Sequence, residues 1–454
     1  MRLLAAFHKD IPSSRHGVQA LCIRLIACLL LVAAIPAHAQ QWGVRVNGSC
    51  ALQNAIAFAN AGNNGLNFAA SIGSATTGFS GCYILSNPLI FTPQPGSYIL
   101  LVEPAQITLS TIDNYWYGPN ALPPIASDIT IYPDPNVNSS HSMRFVAAHV
   151  GDPSPTTANA FRFFYISGGL SGLPAGHLSI YYTTLENGYA KGGNSGGFDA
   201  GGGAGMGGAI FNHRGTVSML NVTANGNAAI GGARDFLDGT ADGGGLGAVL
   251  FNLNGTVTID FSTFAGNTLS GTNANDDAHG KSDGTIYSLA YGSKIEDGSA
   301  SMAVLKINSS IIHGTHADAG NANDDVVVNV AGGNTSSYQF LGTNVVGATL
   351  AAPGVTQALP SSVPIATDPQ LGALSIYLSA QYPLPVLPVG TNSSSAFNAD
   401  FTVNVNGYCL EVDGATNLAS DERGTGRPDN GMCNAGAYQF NGNYIFANGF
   451  EPTL

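Results

Sequence analysis

The chain has 454 residues, 44% of them hydrophobic and only 9% charged, with 59 glycines and a formal charge of −13. A disordered chain combines low hydrophobicity with high charge, so this composition excludes one, and the acidic balance argues against nucleic acid and anionic surfaces as partners. The length would ordinarily imply two or three domains, unless the chain repeats along one axis.

Residues 1–39 read as a signal peptide. Arg2, Lys9, Arg15 and Arg24 supply positive charge, residues 25–35 are an apolar run, and Ala37-His38-Ala39 is a small-residue cleavage site. Eleven apolar residues are too few to span a bilayer. Leu25-Ile26-Ala27-Cys28 has the residue types of a lipoprotein site, but its cysteine sits at the start of the apolar run instead of after it. Removing the segment takes away four of the 15 basic and one of the 28 acidic residues, so the charge moves from −13 to −16. Neutral glycans and cations remain as partners; no nucleic acid and no transmembrane segment are expected, and the chain is read as a monomer.

Four cysteines survive this removal, Cys50, Cys82, Cys409 and Cys433. An even number in an exported chain implies disulfides, and four cysteines allow three pairings. The sequence-local one, Cys50–Cys82 with Cys409–Cys433, staples both ends of the chain and is the pairing expected. Residues 40–97 read as an N-terminal cap. Ser49 is placed to cap a short helix with Leu52, Ile56 and Ala59 along one face and Gly62 at its end. Lying over a first coil, such a helix covers open strand edges.

Residues 98–347 carry the strongest signal. The segment from Val217-Ser218-Met219 to Asn225-Gly226-Asn227 matches the one from Val257-Thr258-Ile259 to Ala265-Gly266-Asn267 at an offset of 40. Leu178-Ser179-Ile180 fits at 39, and a fainter copy begins at Leu305-Lys306-Ile307. Leu178, Val217, Val257 and Leu305 share one slot, and Ile180, Met219, Ile259 and Ile307 share the slot two residues on. Residues two apart on a strand face the same way, so both columns point into a common core, with Ser179, Ser218, Thr258 and Lys306 outward. Leu185, Ala224, Phe264 and Ile312 form a third interior column. Asn187, Gly226, Gly266 and Gly314, which tolerate positive φ, mark a left-handed turn on every coil. The spacing of two excludes amphipathic helices, and the fixed period predicts an all-β chain folded as a right-handed parallel β-helix, a solenoid with disulfide-stapled N- and C-terminal caps.

The matched stretch, 207–227 against 247–267, covers 21 residues of a 40-residue repeat. The remainder falls at one point of each coil, in loops 189–204, 228–244 and 268–284, so these are expected to emerge along one edge. That edge carries Asp199, Asp235, Asp238, Asp242 and Asp283, the candidate ligand-binding residues, with Lys191 and Arg234 among them. Clustered carboxylates are hard oxygen ligands of the kind calcium takes, although no nonapeptide or EF-hand pattern is present; no other cofactor is implied. Asp276, Asp277, His279 and Lys281 are candidate catalytic residues, a carboxylate pair with a base as glycosidases and lyases need. Neighbouring aspartates on a strand face opposite ways, and Gly-rich loops with scattered Asp commonly serve only as solvated connectors. Ser195 between Gly193 and Gly197 lacks the strand and helix of a nucleophile elbow, and no Gly-Lys-Ser/Thr closes a phosphate loop.

Residues 348–440 read as C-terminal coils and cap, with Asp421, Arg423 and Arg427 as a hydrogen-bonded cluster closing the end. Residues 441–454 form an aromatic tail ending near Gly449-Phe450-Glu451.

Several motifs resemble those of exported bacterial β-helix proteins. Gly207-Gly208-Ala209-Ile210 and Phe264-Ala265-Gly266-Asn267 look like the two short motifs of polymorphic outer membrane protein repeats. Cys50-Ala51-Leu52-Gln53-Asn54-Ala55-Ile56 is similar to the CSLREA motif, with Gln53-Asn54 in place of Arg-Glu. Asp368-Pro369-Gln370-Leu371-Gly372-Ala373-Leu374, the stretch from Asp421 to Pro428, and Cys433-Asn434-Ala435-Gly436-Ala437-Tyr438 resemble the tail of choice-of-anchor Q proteins, with Gln439 where an acidic residue is usual. The resemblance implies an extracellular or outer-surface location in a Gram-negative bacterium. It fits an adhesin-like protein that holds a glycan or another cell-surface ligand on its loop edge. The alternative on this fold is a polysaccharide lyase or glycoside hydrolase working in a groove along the coils.

Overall fold

A computed structural model describes residues 40–64 and, with short interruptions that include 149–159, 197–199, 235–241 and 272–281, residues 79–366; beyond these it describes short pieces as far as residue 437. The expected signal peptide and aromatic tail lie outside the described residues.

The chain is all-β, built from parallel strands in stacked sheets as a β-helix or solenoid requires. The first sheet runs through Gln41–Val46, Ser97–Val102, Asp128–Pro133, His177–Glu186, Thr216–Asn225, Thr256–Asp260, Met302–Asn308, Thr335–Leu341 and Thr356–Gln357. The second contains Phe164–Ile166, Ile210–His213, Leu250–Leu253, Ile286–Ala290, Val326–Val330 and Thr349–Ala351. Tyr189–Lys191, Ala228–Ile230, Thr268–Ser270 and His316–Ala317 make a third, and Gly205–Met206 with Gly245–Leu246 a fourth. Ser375–Tyr377 and Leu384–Val386 pair antiparallel, so the C-terminal region is not made of coils alone.

The register is the one the repeat predicts. Val217 pairs with Leu178 on one side and Val257 on the other, Met219 with Ile180 and Ile259, and Val257 and Ile259 with Leu305 and Ile307. Ala224 pairs with Leu185 and Phe264, and Phe264 with Ile312. All are buried in one core cluster, facing Phe164, Ile210, Leu250, Ile286 and Val326 of the second sheet. Asn187, Gly226, Gly266 and Gly314 all have positive φ, between 64° and 75°. Ser179 departs from expectation: it is buried, its hydroxyl 3.3 Å from His177 Nε2.

Polar residues inside the stack satisfy one another along its axis. Asn212 Nδ2 donates to Asn252 Oδ1 at 2.8 Å, and Asn252 Nδ2 to Ser288 Oγ at 2.9 Å. Asn227 donates from both its backbone N and Nδ2 to Asn267 Oδ1. Ser262, Ser310 and Asn344 form a third such ladder, each accepting from the backbone of the rung before it. A buried amide without partners costs about 1–3 kcal/mol, so each ladder fixes the register of its neighbours.

The helix Leu52–Asn64 covers the first rungs with Leu52, Ile56, Phe58 and Ala59 buried. Ser49 does not cap it; Asn47 Oδ1 accepts from the Ser49 and Cys50 backbone instead, and the helix starts three residues after Ser49. Gly62 sits inside it, because a Cβ there would lie 2.0 Å from Tyr98 Oη. Asn60 closes the adjacent edge, donating to Pro124 O and accepting from Ala126 N and Ser127 Oγ. The Cys50–Cys82 disulfide ties this helix down.

The C-terminal pieces lie on the flank of the stack, where a cap over its end was expected. Cys409 and Leu418 pack on Leu220 and Phe261, and Ala435 on Ile311 and Val345. Glu422 is fully buried and accepts from Thr184 Oγ1 at 2.7 Å and from Thr223 Oγ1. Arg427 stacks over the Phe261 ring at 4.5 Å and donates to Asn221 Oδ1 and Gly436 O. Cys409 is disulfide-bonded; Cys433 and Arg423 lie outside the described residues.

Candidate functional site

The three spare segments leave and re-enter the stack in register. On the way out, Ala228–Ile230 pairs with both Tyr189–Lys191 and Thr268–Ser270. On the way back, Leu246 pairs with Met206 and with Asp283. Between these limbs glycines lie backbone to backbone: Gly203 N donates to Gly193 O, Gly232 N to Gly203 O and Gly243 N to Gly232 O. The described roots of these loops are thus tied to one another by backbone hydrogen bonds.

Of the candidate acidic residues, Asp242 and Asp283 are described, and both are buried. Asp242 Oδ1 accepts from Arg234 N at 2.7 Å, and Asp283 Oδ1 from Gly284 N at 2.9 Å. Asp283 stands opposite Leu246, four residues along the chain from Asp242. Asp199, Asp235, Asp238, Asp276, Asp277, His279 and Lys281 lie outside the described residues. Among the described residues no group of three His, Cys, Asp or Glu is placed to hold a metal ion.

The chemistry concentrates beside the loop roots, on the outer face of the second sheet. Tyr165, Phe211, Phe251 and Tyr287 pair in sequence across four strands and form one outward column. Their rings lie 6.1, 5.3 and 5.5 Å apart, the last two pairs stacked. Each such contact contributes about 0.5–1.5 kcal/mol beyond its burial. Met206 and Leu246 flank the column on the loop side, and Leu253 and Leu289 on the other.

A tight turn crosses one end of this column. Asn120 closes it, its Nδ2 donating to Asn114 Oδ1, Trp116 O and Gly118 O within 3.0 Å. Trp116 stacks on Tyr165 at 5.9 Å, and Tyr117 stacks on Phe211 at 4.9 Å and meets His213 in a T-shaped contact at 4.8 Å. Positive φ at Tyr117 and Gly118 makes this reversal possible. Tyr115 is 72% exposed and Tyr117 46%, so aromatic surface faces solvent above a buried aromatic floor.

Polar groups are set into that floor. His213 Nδ1 lies 3.5 Å from Tyr165 Oη, and burial, with help from Arg214, lowers the imidazole to about 4, so it is neutral at neutral pH. Burial likewise raises the Tyr165 phenol above its ordinary range. Arg162 is 3% exposed, its guanidinium 5.1 Å from the Phe211 ring centre. Its Nη2 donates to Tyr117 O at 2.9 Å, while Nε and Nη1 have no partner among the described residues. Burial lowers it to about 9, which leaves it charged at neutral pH.

Sequence reasoning missed this group. Two signals were present: Phe211 and Phe251 recur at the repeat offset, and Tyr115-Trp116-Tyr117 places one of only two tryptophans between tyrosines. Comparison with known protein families, with characterised proteins and with solved structures finds no match for the chain. No described helix is long and apolar enough to cross a membrane.

Proposed function

We propose that the chain is an exported right-handed parallel β-helix protein of the CSLREA and choice-of-anchor Q type. In this reading it acts at the outer surface of a Gram-negative bacterium and binds glycan there, as an adhesin does. The observation that carries the binding reading is the exposed Tyr115-Trp116-Tyr117 turn seated on the aromatic column, next to the aligned loop roots. Sugar rings present C–H faces that pack on aromatic faces while their hydroxyls keep hydrogen bonds to water and to phenols. Tyrosine offers both kinds of surface with little rotamer entropy to lose. The carboxylates of Asp242 and Asp283 accept from backbone N–H groups of the loop roots and so help hold those roots in place.

The test is a glycan panel, with and without calcium, against residues 40–454 and a Tyr115→Ala/Tyr117→Ala variant. Retention of at least one glycan by the parent, weakened tenfold or more in the variant, supports the reading. Equal retention by both, or none, overturns it. New reducing ends or unsaturated sugars would replace binding by the lyase or hydrolase alternative.

A further inference from the structure

Arg162 holds a positive charge inside an aromatic box, with no described residue to neutralise it. Phe211 lies against one side, Tyr165 and Tyr117 are its other neighbours, and no ion pair from the described residues reaches it. Buried polar groups are nearly always hydrogen-bonded, and a buried charge is nearly always paired, because desolvation is otherwise uncompensated. An arginine left this way calls for an anion that arrives from outside. A second orphan stands beside it. Asn120 pairs with Arg162 across neighbouring rungs, and Asn120 Oδ1 is buried without a partner. One group lacks an acceptor and the other lacks a donor. A ligand bearing a carboxylate and an adjacent hydroxyl satisfies both, and a simple inorganic anion satisfies one.

We propose that Arg162 and Asn120 form a recognition site for a sugar acid, a uronate residue whose carboxylate accepts from Arg162 Nη1 and whose hydroxyl donates to Asn120 Oδ1. The sugar enters as the Tyr115–Gly118 turn lifts, and its ring then packs against Tyr117. This rests on the glycan-binding reading and narrows it to acidic sugars. The chain's strong negative charge gives no long-range attraction to a polyanion, so the site reads a single carboxylate at close range. Arginine suits this task because its planar fork stays charged when buried and stacks on aromatic faces.

The experiment compares a glucuronate-terminated disaccharide with its carboxyl-reduced counterpart by calorimetric titration. Trp116 fluorescence in a Trp42→Phe background reports movement of the turn. The intact protein should bind the uronate at least tenfold more tightly and change Trp116 emission. Arg162→Gln should bind both sugars alike with an unchanged melting temperature. Arg162→Met should melt no lower than the parent, since removing a buried charge that no described carboxylate neutralises offsets the lost hydrogen bond to Tyr117 O. If neutral and acidic sugars bind the parent equally, the uronate site is wrong while glycan binding stands. If neither binds, both fall. A peptide with a free C-terminal carboxylate that binds as tightly as the uronate also overturns the proposal, as does an Arg162→Met protein that melts well below the parent.

Discussion

The glycine substitutions separate two physical demands that the repeat places on one residue type. Gly314 has φ +75° and nothing within 4 Å of an added Cβ, so alanine there meets only backbone strain. A left-handed L-residue costs about 1–2 kcal/mol, and the stiffer unfolded chain returns about 0.4–1 of that. Gly314→Ala should therefore lose about 0.5–1.5 kcal/mol. Gly314→Asn should lie closer to the parent, because asparagine tolerates this region and Asn187 already occupies the same column at φ 65°. Gly208 has no positive φ but faces backbone on two sides. Its Cβ would lie 2.2 Å from Ala248 O and 2.6 Å from Ala228 O. Neither atom can move without parting adjacent rungs, which breaks hydrogen bonds such as Gly208 N to Gly247 O and Ala209 N to Val249 O. At about 1–3 kcal/mol for each group left buried and unpaired, Gly208→Ala should lose more than about 3 kcal/mol. Urea unfolding, with hydrogen exchange at 205–213 and 311–317 to localise the effect, reads both. Equal costs at Gly208 and Gly314, or an asparagine as damaging as alanine at 314, would refute the reasoning.

Reducing Cys50–Cys82 frees a loop of 32 residues and should cost about 3–4 kcal/mol, seen as earlier loss of exchange protection in the helix Leu52–Asn64. Burial pushes the Asp325 carboxyl up to about 6 from 3.8, outweighing His313 and the hydrogen bonds from Thr285, Gly347 and Thr315. The fold therefore holds that proton more tightly than the unfolded chain does. Its contribution is full below about pH 4 and lost as pH rises through 6, on the order of 3 kcal/mol, so Asp325→Asn should flatten the fall in melting temperature between pH 4 and 7. Glu422→Ala strands the Thr184 and Thr223 hydroxyls in a buried place and should cost about 2 kcal/mol or more, read as faster proteolysis within 409–437.

What was legible in the sequence was whatever repeats. The pairing of Val217 with Val257 could be read because both residues solve the same local problem, an inward side chain on a strand whose neighbour is a copy of itself. The φ of Gly226 and Gly266 obeys the same logic. Illegible were contacts made once. Ser179 alternates as an outward residue should, and the repeat pattern does not announce that it is buried. Ser49 has the right identity for a helix cap, but Asn47, two residues earlier, organises that turn. Arg162 carries no local signal, because the turn that covers it comes from residues 114–120, a rung earlier in the stack.

The placement of the C-terminal pieces changes how stability is distributed. A solenoid whose rungs touch only their neighbours melts from its ends, since no contact spans more than one interface. Here Thr184, Thr223 and Thr263 stand in one column on consecutive rungs. The first two donate to Glu422, and the third accepts from Ala437 N. Asn221 and Asn308 reach outward to Ser420 O and Leu410 O on the same strap. Thr184 and Glu422 are 238 residues apart, so this clamp closes only after several rungs have formed and aligned. It ties the rungs that carry the aromatic column, through Phe211 and Phe251, into a unit that cannot fray one rung at a time. A binding platform assembled from side chains on successive rungs depends on their spacing staying fixed. The flank position of the strap, where a cap over the end was expected, supplies that constraint directly to the rungs in question.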